Sequence, residues 1–225
     1  MSRRATPIPP LLAFADPVQN LWGAMVGEDA SRAVIGRLDE PAGGSCGRLL
    51  AEPITGNTVA TDDQLELVRV TGQVTLPGNS AVELSAGGIR YPGASVERLA
   101  SARLLVSWFP DEQAVALLAL RPDGARGHDR DTLSVACLGE RDGVSVFDPR
   151  LSSTYTRNGS LRRVGVELWL GETEEGDQHP HRVAGEASGS DGHVAAEEVV
   201  GEAYGLRCHS RGEDGAGVYL QIRPA

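Results

Sequence analysis

The chain has 225 residues, 40% hydrophobic and 23% charged, with 31 acidic residues against 21 arginines and no lysine, for a net charge of −10. That length can bury a core without disulfide or metal staples. So acidic a surface repels phosphate backbones and anionic headgroups, which excludes nucleic acid and membrane surfaces as expected partners.

The first twenty residues, interrupted by Pro7, Pro9 and Pro10, read as an extended N-terminal segment ahead of a domain spanning 21–225. They hold no continuous apolar stretch of the signal-peptide kind, and nothing in the chain reaches the roughly 18 apolar residues of a spanning helix. A cytoplasmic setting follows as the expectation. Leu21 to Val26 and Arg32 to Leu38 read as hairpin strands turning at Gly27–Ser31, followed by a Gly-rich loop from Pro41 to Gly47. Short apolar runs then recur at Leu65–Val70, Gln73–Leu76 and Ala81–Leu84. The segment Ser95–Arg103 has the look of two helical turns. Leu104–Phe109 and Ala114–Leu120 flank Pro110-Asp111-Glu112, a hairpin turn.

Beyond a polar loop, Leu133–Leu138 is expected to pair with Val144–Phe147 across Arg141-Asp142-Gly143. Arg163–Leu170 and Arg182–Ala187 are two further strands around the acidic loop Glu172–Asp177. Glu197–Ala203 suggests one more helical turn. Tyr204–His209 and Val218–Ile222 close the chain. About a dozen short strands and little helix indicate an all-β fold, an antiparallel barrel. It is either one unit or two fused sheets with a break near 93–103.

The chemistry-bearing patterns are sparse. Gly43-Gly44-Ser45-Cys46-Gly47 matches G-x-S-x-G, but no buried strand precedes it and no helix follows, so a hairpin loop is the better reading than a nucleophile elbow. His179-Pro180-His181 and Gly127-His128-Asp129-Arg130-Asp131 lack metal-ligand spacing, and no metal or other cofactor is expected. The alternative for the second segment is structural, with Arg–Asp pairs fixing a loop over a barrel mouth. Cys46, Cys137 and Cys208 contain no C-x-x-C pair and read as buried free thiols. The sequon Asn158-Gly159-Ser160 reads as a turn. No phosphate-binding loop is present.

The most informative strand is Arg163–Leu170. Alternation puts Val164, Val166, Leu168 and Leu170 on one face and Gly165, Glu167 and Trp169 on the other. The second face has two readings. It lines a ligand cavity with Glu167 as a desolvated acid, or it faces outward with Glu167 paired to an arginine. On the first reading Trp22, Trp108, Tyr155 and Tyr204 join Trp169 as cavity walls; on the second they are packing residues.

The stretches Ala119–Asp131, Asp148–Tyr155, Arg163–Leu170, Arg182–Glu186 and Gly215–Tyr219 together resemble the lipocalin-like proteins related to hydroxyneurosporene synthase (carotenoid 1,2-hydratase) and the AttH group, over about residues 100–223. The resemblance implies a lipocalin-like barrel and an apolar polyene, polyketide or terpenoid ligand. It implies a cofactor-independent cyclase, such as a [4+2] pericyclase, or an isomerase in natural-product biosynthesis. Hydration of a polyene and non-catalytic binding are the alternatives. The expected partner is a small hydrophobic molecule, and the protein is expected as a monomer or homodimer.

Overall fold

In the computed structural model, residues 6–225 are described except 56–57, 63, 79, 97–98, 112, 126–130, 140–144, 172–179 and 197. Seventeen strands run in chain order through these residues. The first nine are β1 (Thr6–Ile8), β2 (Leu11–Asp16), β3 (Leu21–Val26), β4 (Val34–Arg37), β5 (Ser45–Pro53), β6 (Thr58–Ala60), β7 (Glu66–Leu76), β8 (Ser80–Tyr91) and β9 (Ala94–Val96). They are followed by β10 (Leu99–Trp108), β11 (Ala114–Pro122), β12 (Thr132–Leu138), β13 (Ser145–Tyr155), β14 (Leu161–Gly171), β15 (His181–Ala196), β16 (Val199–Ser210) and β17 (Glu213–Pro224). A 3₁₀ turn, Ala30–Arg32, is capped by the Asp29 side chain on the Ser31 amide.

All pairings are antiparallel and form two large sheets. One has the order β4-β3-β2-β8-β7-β5, the other β13-β14-β15-β16-β17-β10-β11-β12-β6, and β1 pairs with β9 apart from both. Residues 11–16, expected in an extended leader, are instead an inner strand of the six-stranded sheet: their run Leu-Leu-Ala-Phe-Ala is buried throughout and pairs on both edges. The two segments expected to make helical turns, Ser95–Arg103 and Glu197–Ala203, are strands among the described residues. Ala102 and Arg103 pair with β11 and β17, and Val199 to Ala203 pair with β15 and β17. Partner strands on either side outweigh the high helix propensity of Ala, Arg and Glu.

Strand alternation sorts the apolar residues into three layers. Val106, Leu118 and Val218 of the nine-stranded sheet meet Ala13, Trp22 and Ile89 of the six-stranded sheet in a shared core. Phe14, Ile35, Val70 and Leu84 fill the curl of the six-stranded sheet. On the far face of the nine-stranded sheet, Leu105, Leu117 and Val135 pack against Val166, Leu168 and Leu206, which fill the lumen of the larger barrel. Ser45 opens the edge strand β5 and is exposed, the position of a loop-to-strand junction.

The sequence expectation that β12 pairs with β13 fails. They stand at or next to opposite ends of the nine-stranded order, with β6 on the outer side of β12 and β14 on the inner side of β13. The curled sheet is therefore open between them. That seam positions the candidate site.

A seam cavity and a tyrosine cluster in the larger barrel

A cavity of about 1020 Å³ lies at the seam, lined by Leu133 and Asp131 on the β12 side and by residues of β13, β14 and β15 on the other. Leu151, Val166 and Val183 give it apolar wall, and Arg150, Glu167 and Arg182 bring charge. A cleft this size, with an apolar wall and a charged rim, can hold a small organic ligand.

Its polar head is Asp131, whose side chain is only 4% exposed. Oδ2 accepts from Nη2 of Arg103, itself 10% exposed, and Arg121 Nη1 lies 3.7 Å from Oδ1. Arg103 sits in β10 on the same face as Leu105, opposite Ala119 in the register, and so enters the lumen from the barrel wall. Burying a guanidinium there is tolerable only because the carboxylate neutralises it. The hydrogen bond from Arg103 engages one carboxylate oxygen, and Arg121 faces the other beyond hydrogen-bond distance. Asp131 Oδ1 and Arg103 Nε are buried and have no hydrogen-bond partner among the described residues.

Polar groups cross the lumen from Arg103 to a tyrosine cluster. Arg103 Nη1 donates to Ser153 Oγ at 3.4 Å. The Tyr219 and Tyr155 hydroxyls lie 3.1 Å apart, and Tyr155 donates to Gln221 Oε1 at 2.8 Å. Tyr204 packs beside Tyr219, ring centroids 6.4 Å apart, and its hydroxyl donates to Glu202. Burial pushes the Tyr219 phenol well above its ordinary range, with the neighbouring Tyr155 adding to the shift. Burial, then the Glu202 carboxylate, does the same for Tyr204. Both phenols are therefore held as neutral O–H donors. A second cavity of about 310 Å³, bordered by Tyr155, His193, Glu202, Gln221 and Arg223, opens beside this cluster.

Tyr155 and Tyr204, two of the residues singled out in the sequence, thus belong to one cluster. The other four do not join it. Val164, Val166, Leu168 and Leu170 supply the lumen face of β14, which puts Glu167 and Trp169 on the outer face rather than in the lumen, as alternation requires once the aliphatic face is the inner one. Glu167 lies between Arg150 and Arg182 in the register and is ion-paired to Arg182 Nε at 2.9 Å, at the rim of the seam cavity. Trp169 is half-buried opposite Phe147. Trp22 and Trp108 belong to the core shared by the two sheets. Trp22 donates to the buried Ser190 hydroxyl at 2.9 Å, and Arg69 stands 5.9 Å over the Trp108 ring.

Arg103 and Tyr219 were not singled out in the sequence, and Asp131 entered only with Asp129, in a segment read as Arg–Asp pairs fixing a loop; Asp131 does pair with Arg103 and Arg121. The available signal was Arg103 itself, a charge sharing parity with Leu105 and Ser107 inside an apolar strand. His181 is buried and shares a hydrogen bond of 3.1 Å with Ser210. His128, Asp129 and His179 lie outside the described residues. Among the described residues no cluster of three metal-ligating side chains occurs, and no helix is long and apolar enough to cross a membrane.

No family model and no curated protein matches the chain. Among solved structures, a protein of unknown function from the DUF3598 family of Nostoc punctiforme aligns over 97% of this chain and 96% of its own at 11% identity, but its TM-score of 0.19 carries no argument. Kievitone hydratase from Nectria haematococca is similar over 96% of this chain and 89% of its own, at 8% identity and a TM-score of 0.54. With curled antiparallel sheets and almost no helix, the chain has the lipocalin-like β-barrel fold that this likeness indicates.

Proposed function

We propose that this barrel takes up a small, largely apolar, unsaturated molecule through the seam and adds water to it or removes water from it. The observation that carries the reading is the seam cavity itself: apolar walls around a buried carboxylate whose charge two arginines balance. Addition of water to a carbon–carbon double bond needs a site that holds the apolar body and fixes a proton acceptor and donor near the reacting carbons. Leu133, Leu151, Val166 and Val183 do the first, and the Asp131 carboxylate supplies an acceptor for the second. The likeness to kievitone hydratase supports hydration among the alternatives, as an analogy of fold.

Cyclisation has less support. A pericyclase must fold a flexible chain inside an open cavity, whereas the lumen beyond the seam is filled by Leu105, Leu117, Leu168 and Leu206.

The test is incubation with kievitone and with linear polyenes in isotopically heavy water, followed by mass spectrometry. A product heavier by one labelled water is expected from the wild type. Leu133→Trp, which fills the cavity, should abolish it. Uptake of these compounds without any mass change would leave a binding barrel, and the hydratase reading would fall.

A further inference from the structure

We infer that Asp131 Oδ1 is the docking point for a hydroxyl group of the ligand, so that the seam cavity selects neutral, apolar molecules carrying an O–H donor. This rests on the small-molecule reading above and adds the chemical class of the ligand. A buried acceptor left unpaired costs free energy, and the cost is recovered when a ligand supplies the missing donor. Asp131 lines the cavity, is almost fully buried, and has its second oxygen committed to Arg103 while the first makes no hydrogen bond among the described residues.

The electrostatics narrow the donor. Arg103 and Arg121 already compensate the carboxylate, so the head group is net positive and gains nothing from a cationic ligand. A ligand carboxylate would set its oxygens against Oδ1. A neutral alcohol, enol or phenol is the remaining simple donor. Because Arg103 holds Oδ2 and Arg121 stands 3.7 Å from Oδ1, the oxygen without a hydrogen bond is fixed in place, and a fixed acceptor discriminates strongly against analogues lacking the donor. Apolar wall on both sides of the seam receives the remainder of such a molecule.

Three probes separate the possibilities: 2-naphthol, 2-methoxynaphthalene and 2-naphthoate, each titrated by its own fluorescence against the full chain. The expected order is 2-naphthol tightest, by about tenfold or more over the methoxy compound, the range of a hydrogen bond to a charged group. The second protein is the double variant Arg103→Met, Asp131→Leu, which replaces the buried ion pair by apolar groups and leaves only Arg121, 29% exposed and in reach of solvent, without its carboxylate. It should bind 2-methoxynaphthalene as the wild type does and lose the preference for 2-naphthol. Retained preference in that variant, equal binding of naphthol and methoxynaphthalene by the wild type, or tightest binding of naphthoate would each overturn the hydroxyl assignment while leaving uptake of small molecules standing. If none of the three binds, the small-molecule reading itself fails and takes the assignment with it.

Discussion

Tyr219 shows how one residue's environment sets both its chemistry and its cost. Its hydroxyl is buried in the larger barrel and hydrogen-bonded to Tyr155. Tyr219→Phe keeps the ring and removes that bond, so it should cost about 1–2 kcal/mol of stability in a urea titration. The pH dependence follows from the raised tyrosines. In the unfolded chain they ionise near the ordinary value of 10.0, while in the native chain they keep their protons to higher pH. Above pH 10 the unfolded state therefore binds fewer protons than the native state, and stability falls as pH rises. The urea midpoint should decline from about pH 10 upward, and Tyr204→Phe combined with Tyr219→Phe should flatten part of that slope. An unchanged slope in the double variant would show that other groups govern it. The cysteines behave in parallel. All three are buried free thiols, and burial pushes Cys208 up to about 12. A chromogenic disulfide reagent at pH 8 should find none reacting quickly in the native chain and all three after denaturation.

At the scale of elements, close approach explains several glycines. Trp22 of β3 is clamped between Gly36 of β4 and Gly205 of β16: an added Cβ would lie 2.8 Å from its Nε1 at position 36 and 2.4 Å at position 205. The register shift in β15 between Ala187 and Asp191 accompanies this contact and leaves Ser190 facing the indole N–H. Gly205→Ala should therefore destabilise by about 1–3 kcal/mol, since the rigid indole cannot swing aside. A urea midpoint equal to wild type would mean that the sheets slide apart at little cost. Alternation and turn residues made most of these strands legible, including the β3–β4, β10–β11, β14–β15 and β16–β17 hairpins. Alternation could not say which face of β14 is inside, because parity is symmetric, and so Glu167 and Trp169 were open to either reading. Nor could it foresee the seam. Residues 133–138 and 145–147 have the pattern of paired strands, but a curled nine-stranded sheet separates them as near-opposite ends. The half of the site that comes from Arg103 and Asp131 was hidden for the same reason, since the ion pair joins β10 to the residue just before β12, with β11 between them in the sheet.

The whole molecule is two curled sheets that share one core, and the sharing decides how it unfolds. The core between the sheets draws Ala13, Trp22 and Ile89 from one side and Val106, Trp108, Leu118 and Val218 from the other. Each sheet has a further core of its own in its curl. If the private cores dominated, each sheet would melt separately, as independent domains do. The sequence order argues against separation. Strand β6, from the first part of the chain, pairs with β12 at the far side of the nine-stranded sheet, so that sheet cannot complete itself without residues 58–60. The clamp on Trp22 is likewise shared, with Gly36 on one sheet and Gly205 and Ser190 on the other. Losing either sheet would expose the apolar face that the other buries, at about 25 cal/mol for each Å² uncovered. A single cooperative transition is therefore expected, with tryptophan fluorescence of a Trp169→Phe variant, which reports Trp22 and Trp108 in the shared layer, coinciding with far-ultraviolet circular dichroism, which reports both sheets. Two resolved transitions, or a fluorescence change well ahead of the loss of strand signal, would show the shared layer to be a docking contact between independent units.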